Sequence, residues 1–256
     1  MQNGTTLTRS RGIRMPSSRV AITIGLCLMA PGALTGQEPD SVLATSADAT
    51  VPASADSMLA FQPLAPSVVL HLDHLTSAFT DTPDGRGLVP VGMDEAKIAI
   101  EHARLAGLDS LDLASMVGNM TDVLHALDPD QAGSGAGLGY GVKRAAEGVI
   151  RHMELAISDP DATDPVRFHG AYVIAGAKGA IERADRAISL ARAIRGSGSP
   201  ADALPRIAEL LDVLHAMAYG TDSDADGRIG YTEDEMGLAQ AQYHLALLRR
   251  AARLGA

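Results

Sequence analysis

Cysteine and aromatic residues are scarce in this chain of 256 residues, which has one cysteine, no tryptophan, five tyrosines and three phenylalanines. The single cysteine, Cys27, lies in an N-terminal apolar segment that we predict to be removed on export. A mature chain without cysteine excludes disulfides, thiolate zinc sites, iron–sulfur clusters, c-type haem attachment and cysteine nucleophiles. Because aromatic residues are so few, a core must be built from Ala, Leu, Ile, Val and Met.

Positive charge is also scarce, since 21 Lys and Arg stand against 31 Asp and Glu and the formal net charge is −10. Residues 1–36 hold four arginines and no acidic residue, so their removal leaves 17 basic residues and a net charge of −14. Such an acidic chain repels nucleic acids and anionic membranes. We therefore expect no nucleic-acid partner.

The N-terminal segment 1–36 has the composition of a signal peptide. A basic leader precedes an apolar run at 20–29, and small residues follow up to Gly36. We predict cleavage between Gly36 and Gln37, and export to the periplasm or the extracellular space. An uncleaved membrane anchor is the alternative, although a run of about ten apolar residues is short for crossing a bilayer. After cleavage we expect no stable membrane span.

Beyond the signal, the composition divides the chain into a linker and a domain. Residues 37–66 are rich in Ala, Ser, Asp, Thr and Pro, which is typical of a disordered linker. From residue 67 onward apolar residues recur at helical spacing without a period-two strand pattern, so we predict one all-α domain at 67–256. Its predicted helices, about seven in number and arranged as a helical bundle, are 67–79, 93–107, 110–127, 141–158, 164–195, 204–219 and 231–253.

An internal repeat suggests how this bundle is built. The sequence Asp-Val-Leu-His-Ala at 122–126 recurs at 212–216, and histidines bracket the predicted loops at nearly constant separation. We therefore predict a bundle made of repeated helical hairpins. The loops near 84–87 and 128–133 repeat part of a later acidic loop, but they lack its terminal glutamate, so we interpret them as degenerate and without useful Ca²⁺ affinity.

The most specific motif is an acidic segment of twelve residues near the C-terminus. Asp222, Asp224 and Asp226 occupy its first, third and fifth positions, Gly227 the sixth and Glu233 the twelfth. Hard cations such as Ca²⁺ take oxygen ligands from carboxylates at these positions, and a glycine at the sixth allows the sharp turn. A solvated acidic turn is the alternative, but it gives no reason for this combination of residues.

The segment and its flanks, at about 205–253, resemble an EF-hand. The resemblance implies one Ca²⁺ ion, which would be the only cofactor, and it implies a modest affinity, with a Kd of about 10⁻⁴–10⁻³ M, suited to a structural or stabilising role outside the cytoplasm. The implied ligands are side-chain oxygens, one backbone carbonyl and one water-mediated position, from Asp222, Asp224, Asp226, Arg228 (carbonyl), Gly230 (through water) and Glu233. The chain would then be an exported calcium-binding protein.

Histidines offer a second interpretation. All eight lie in predicted helices, and His71 and His74 share one helix face because they are three residues apart. Imidazoles in a helical bundle can hold a transition metal or haem, whereas the plainer reading makes each a helix-face residue bonded to a neighbouring carboxylate or carbonyl. A calcium-dependent partner-binding module is a further alternative. The sequence contains no recognisable catalytic motif, so we do not expect an enzyme.

Overall fold

Helices rich in alanine and leucine make up most of the chain that the computed structural model describes, residues 63–251. Seven α-helices and no strands occur in these residues, which confirms the predicted all-α helical bundle. The helices are α1 (Pro66–Thr76), α2 (Leu88–Leu108), α3 (Leu113–Leu127), α4 (Val142–Ser158), α5 (Asp164–Arg195), α6 (Pro200–Tyr219) and α7 (Leu238–Ala251). The predicted signal at 1–36 and most of the predicted linker lie outside the described residues.

Three helix starts differ from the prediction by four residues or more. Helix α2 begins at Leu88 instead of 93, since Pro90 sits in its first turn, where no backbone N–H is needed. Helix α6 begins at Pro200, because the side chain of Ser199 accepts a hydrogen bond from the backbone N–H of Asp202 at 3.2 Å and caps the helix. Helix α7 begins at Leu238 instead of 231, because the residues before it form turns that close the acidic loop.

Helix α5 is the central element of the bundle. Its 32 residues span about 48 Å, and it packs against α3, α4, α6 and α7. Small residues make this close packing possible: a Cβ atom added to Gly176 would lie 2.8 Å from the carbonyl oxygen of Gly237. The long helix is therefore the surface on which the end of the acidic loop and α7 rest.

The repeated-hairpin part of the fold prediction is not confirmed. The histidine spacing suggested three hairpins, namely α1 with α2, α3 with α4, and α6 with α7. The two helices of each of these pairs make only small contacts, whereas α2 packs extensively on α3 and α4 on α5. Helix α1 packs mainly on α4. Local sequence similarity thus did not determine which helices became neighbours.

The core has the composition that the sequence predicted. Ala, Leu, Ile, Val and Met fill it, and Tyr140 is the one Phe or Tyr among the described residues that is buried. The methionines of α3, α4 and α6 are fully buried in it (Met116, Met120, Met153 and Met217). No helix of the described chain is long and apolar enough to cross a membrane.

The glycine-rich segment between α3 and α4 is fixed by a buried acid. Glu95 of α2 is fully buried, and its carboxylate accepts hydrogen bonds from the backbone N–H groups of Leu138 (3.1 Å), Tyr140 (2.9 Å) and Gly141 (2.9 Å). Gly141 is the N-cap residue of α4 and has no side chain for capping. The carboxylate of Glu95 instead accepts from the N–H of this N-cap residue and lies near the positive end of the helix.

Candidate metal centres

The acidic loop connects α6 to α7. The backbone N–H of Thr221 donates to the carbonyl oxygen of Glu235 at 2.9 Å, which closes the base of the loop. Gly227 has a φ of 85°, a backbone conformation that residues with a Cβ rarely adopt. The sharp turn predicted at this glycine is therefore present in the structure.

Glu235, two residues beyond the twelve-residue motif, is the buried acid of this loop. Its residue is 4 % exposed, and its carboxylate accepts hydrogen bonds from the Ser223 N–H (2.9 Å), the Ser223 hydroxyl (2.9 Å), the Asp224 N–H (3.3 Å) and the Gly230 N–H. The hydrogen bond from the Gly230 N–H makes the largest contribution to lowering the pKa of this carboxyl, and the bonds from Ser223 make the next largest. Glu235 is thus an anion that organises both sides of the loop.

Three carboxylates converge at this point. Oxygens of Asp222, Asp224 and Glu235 lie within 4.8 Å of one another. Asp226 adjoins the group through its backbone, since its N–H donates to Asp222 Oδ1 and to Asp224 Oδ1, both at 3.1 Å. The arrangement concentrates negative charge and oxygen atoms that could act as metal ligands in one loop.

The remaining predicted ligands have different positions. The backbone N–H of Arg228 donates to Asp226 Oδ1 at 2.8 Å, within the loop. Glu233, the predicted bidentate ligand, lies outside the converging group; its side chain is 56 % exposed and a carboxylate oxygen is 3.7 Å from Lys178 Nζ. Sequence reasoning missed Glu235, although the run Glu233-Asp234-Glu235 offered a second glutamate at the end of the motif.

Helix α5 holds the C-terminal end of the loop. Arg183 donates from Nη1 to the carbonyl oxygen of Met236 at 2.7 Å and from Nη2 to that of Asp234. Gly179, one turn earlier, leaves room for this segment, because an added Cβ would clash with the Glu233 carbonyl oxygen and lie 2.7 Å from that of Met236. The loop is therefore connected to the centre of the bundle.

A second group of side chains that could hold a metal ion lies between α1 and α4. Nδ1 of His152 is 3.1 Å from Nδ1 of His71 and 3.3 Å from Nδ1 of His74. Phe79 flanks the group, with its ring centroid 4.9 Å from that of His74 and 5.0 Å from that of His152. The three imidazoles are partly buried, and their ligand nitrogens all lie within 4.8 Å of one another.

Two of these imidazoles are shifted toward the neutral form. Desolvation by burial, followed by the neighbouring His74 and His71, lowers the pKa of His152 from 6.5 to about 4. Desolvation, with a further contribution from His74, also lowers the pKa of His71, and Asp159 opposes that shift. Neutral imidazole is the form that coordinates metal ions.

A pair of histidines joins α5 to α7. Nδ1 of His169 is 3.1 Å from Nδ1 of His244, and Tyr172 stacks on His244 with 4.7 Å between centroids. The ring of Tyr231, from the acidic loop, lies 5.2 Å from both Tyr172 and His244. Nε2 of His244 is buried and has no hydrogen-bond partner in the described chain. Burial lowers the pKa of both histidines.

Each of the other three histidines lies beside a carboxylate or carbonyl oxygen of a neighbouring residue. Nδ1 of His102 lies 3.0 Å from Asn119 Oδ1 and 3.3 Å from Asp122 Oδ2. Nδ1 of His125 lies 3.0 Å from the carbonyl oxygen of Ala136, and that of His215 lies 2.9 Å from the carbonyl oxygen of Leu211. The eight histidines thus divide into a group of three, a pair and three separate residues.

Comparison with known proteins gave no match to a family model, a curated protein or a solved structure.

Proposed function

We propose that this is an exported calcium-binding protein that holds one Ca²⁺ ion in the loop between α6 and α7. The observation that carries the proposal is the convergence of the Asp222, Asp224 and Glu235 carboxylates within 4.8 Å, in the loop that has the EF-hand spacing of acids and glycine. Ca²⁺ takes six to eight oxygen ligands, and a flexible loop with several carboxylates and a backbone carbonyl supplies that number. The ligands expected from the spacing are Asp222, Asp224, Asp226, the carbonyl of Arg228, Gly230 through water, and Glu233.

Two glutamates compete for the last ligand position. Glu233 has the spacing of a bidentate EF-hand ligand, and its ion pair with Lys178 is exposed and so weakly held. Glu235 already lies beside Asp222 and Asp224, but its oxygens accept several hydrogen bonds from the loop. We assign Glu233 to the ion and Glu235 to the support of the loop, because the backbone bonds of Glu235 would be lost if it moved fully to the metal.

A structural role is supported by the surroundings of the loop. The loop joins α6 to α7, and Arg183 ties its end to α5. An ion that neutralises the crowded carboxylates would stabilise the loop and hence the position of α7 relative to α5. At a Kd of about 10⁻⁴–10⁻³ M, a calcium-rich environment outside the cytoplasm would keep the site largely occupied.

The proposal is tested by thermal denaturation with and without calcium. With CaCl₂ at about ten to a hundred times the Kd, the unliganded protein should be stabilised by about 1.4 to 2.7 kcal/mol. The change Asp224→Asn should remove most of this stabilisation, whereas Asp130→Asn, in the degenerate loop and also exposed, should not. A wild-type melting temperature that does not respond to calcium would refute the proposal.

The two glutamates are separated by a second pair of variants. Glu233→Gln should weaken calcium binding without changing the stability measured in EDTA, since its side chain is exposed. Glu235→Gln should lower stability even in EDTA, since the carboxylate bonds to Ser223, Asp224 and Gly230. Tyrosine fluorescence can follow the titration, because the chain has no tryptophan and Tyr231 lies in the loop. If only Glu235→Gln impaired binding, the roles of the two acids would be reversed.

A further inference from the structure

Helices α1 and α4 bring three histidines together without any residue of the acidic loop. His71 and His74 come from one face of α1, and His152 comes from α4. The hydroxyl of Ser67 donates to Asp159 Oδ2 at 2.5 Å, which fixes the start of α1 against the end of α4. Farther along α1, Arg249 of α7 contacts Asp73 at 3.1 Å. The imidazoles therefore come from two neighbouring helices, α1 and α4, whose contact is held at one end by the bond between Ser67 and Asp159.

The spacing of the nitrogens matches the edge of a tetrahedral zinc site. Zinc–nitrogen bonds are about 2.0–2.1 Å long, so two nitrogens of a tetrahedral site lie about 3.3 Å apart. Nδ1 of His152 lies 3.1 Å from Nδ1 of His71 and 3.3 Å from Nδ1 of His74. Two of the three nitrogen pairs therefore already have nearly this spacing, and one ligand nitrogen from each ring lies within 4.8 Å of the other two.

Hydrogen bonding among the rings does not account equally well for this arrangement. A ring nitrogen carries in its plane either one hydrogen or one lone pair, so it makes one well-directed hydrogen bond. Nδ1 of His152 nevertheless faces two imidazole nitrogens at similar distances. At least one of these contacts must be a poor hydrogen bond, whereas a cation at the common point would interact favourably with all three lone pairs.

The chemistry of the group selects the class of ion. Imidazole nitrogen suits Zn²⁺ and related transition metals, whereas Ca²⁺ requires oxygen ligands. A porphyrin is too large for this position, because the ring centroids of His71 and His74 are only 5.4 and 4.7 Å from that of His152. The acidic chain also concentrates cations near its surface.

We propose that His71, His74 and His152 form a second metal site, which binds one Zn²⁺ ion through three imidazole nitrogens. The fourth tetrahedral position is open to water or to a small ligand, since the three residues are only partly buried. The site shares no residue with the acidic loop and does not depend on calcium binding there. By linking α1 to α4, the ion would fasten the first helix of the bundle to its neighbour.

Zinc titration of the full chain without an affinity tag tests the proposal. The protein is stripped with EDTA, exchanged into buffer with saturating Ca²⁺ so that the acidic loop is occupied, and titrated with ZnCl₂ in the calorimeter. One ion should bind. His152→Gln should weaken binding by at least about 100-fold, since even the loss of a residue that only supports a ligand costs 10–100-fold. His215→Gln, which changes an exposed histidine of α6 outside the group, should bind as wild type does.

A direct measurement keeps the test independent of how the variants fold. X-ray absorption at the zinc edge of the wild-type complex should show three imidazole nitrogens at about 2.0–2.1 Å. His71→Gln provides a second variant, and circular dichroism establishes whether each variant is folded. The proposal is overturned if wild type binds no zinc, if a folded His152→Gln protein retains its affinity, if His215→Gln weakens binding equally, or if the absorption spectrum shows only oxygen ligands.

Discussion

Replacement of Glu95 by alanine should cause the largest loss of stability that we predict for a single side chain. This carboxylate is fully buried and accepts hydrogen bonds from three backbone N–H groups, those of Leu138, Tyr140 and Gly141. Leu138 is 38 % exposed, so water can replace the acid there. Tyr140 is 5 % exposed and Gly141 is buried, so their N–H groups would have no partner.

The size of the effect follows from these two groups. An unsatisfied buried donor costs about 1–3 kcal/mol, so Glu95→Ala should lower the free energy of unfolding by about 2–6 kcal/mol. Glu95→Gln should be milder, because its amide oxygen can still accept from Tyr140 and Gly141. Glu147→Ala, at an exposed position of α4, is the matched control and should stay within about 0.5 kcal/mol of wild type.

Urea denaturation followed by far-ultraviolet circular dichroism measures these differences. The midpoint should shift for Glu95→Ala while the slope changes little, because the folded chain keeps its overall packing. If Glu95→Ala and Glu147→Ala were equally stable, the carboxylate would not anchor the glycine-rich segment, and our account of how α4 begins would be wrong.

Two further predictions concern pH and packing. The pKa of His152 is about 4 in the folded chain and 6.5 when the side chain is exposed, so between pH 4 and 6.5 the unfolded chain binds more protons than the folded chain. The metal-free protein should therefore be most stable above pH 6.5 and should lose stability as the pH falls toward 4. Urea midpoints at pH 7 and pH 5 check this, and His152→Gln should reduce the difference; an equal difference in that variant would contradict it. Gly179→Ala should destabilise the protein and weaken calcium binding, because the added Cβ would clash with the carbonyl oxygens of Glu233 and Met236. In the same denaturation assay, the control Gly118→Ala should stabilise the protein by about 0.5–1 kcal/mol, because no atom lies close to the position of its Cβ. Similar stabilities for the two glycine variants would show that the end of the loop does not pack closely on α5.

Local sequence patterns predicted the number of helices and the turn of the acidic loop, but not every helix start. Helix α5 begins and ends where the capping residues predicted it, because these signals act within a few residues. The start of α7 was misplaced by seven residues, because Glu235 turns back into the loop and the residues around it form turns instead of a first helical turn. That contact depends on the closed loop and leaves no periodic signal in the sequence.

The sequence by itself determined an acidic chain of amphipathic helices with one acidic loop that turns at a glycine, since helical periodicity and loop chemistry are encoded over short segments. It also placed His71 and His74 on one face of a helix. Only the tertiary structure decided that His152 meets them, that Glu235 supports the acidic loop, and that Glu95 accepts from the N-cap residue of α4. These contacts join residues brought together by helix packing, and helix packing depends on how whole apolar surfaces fit one another.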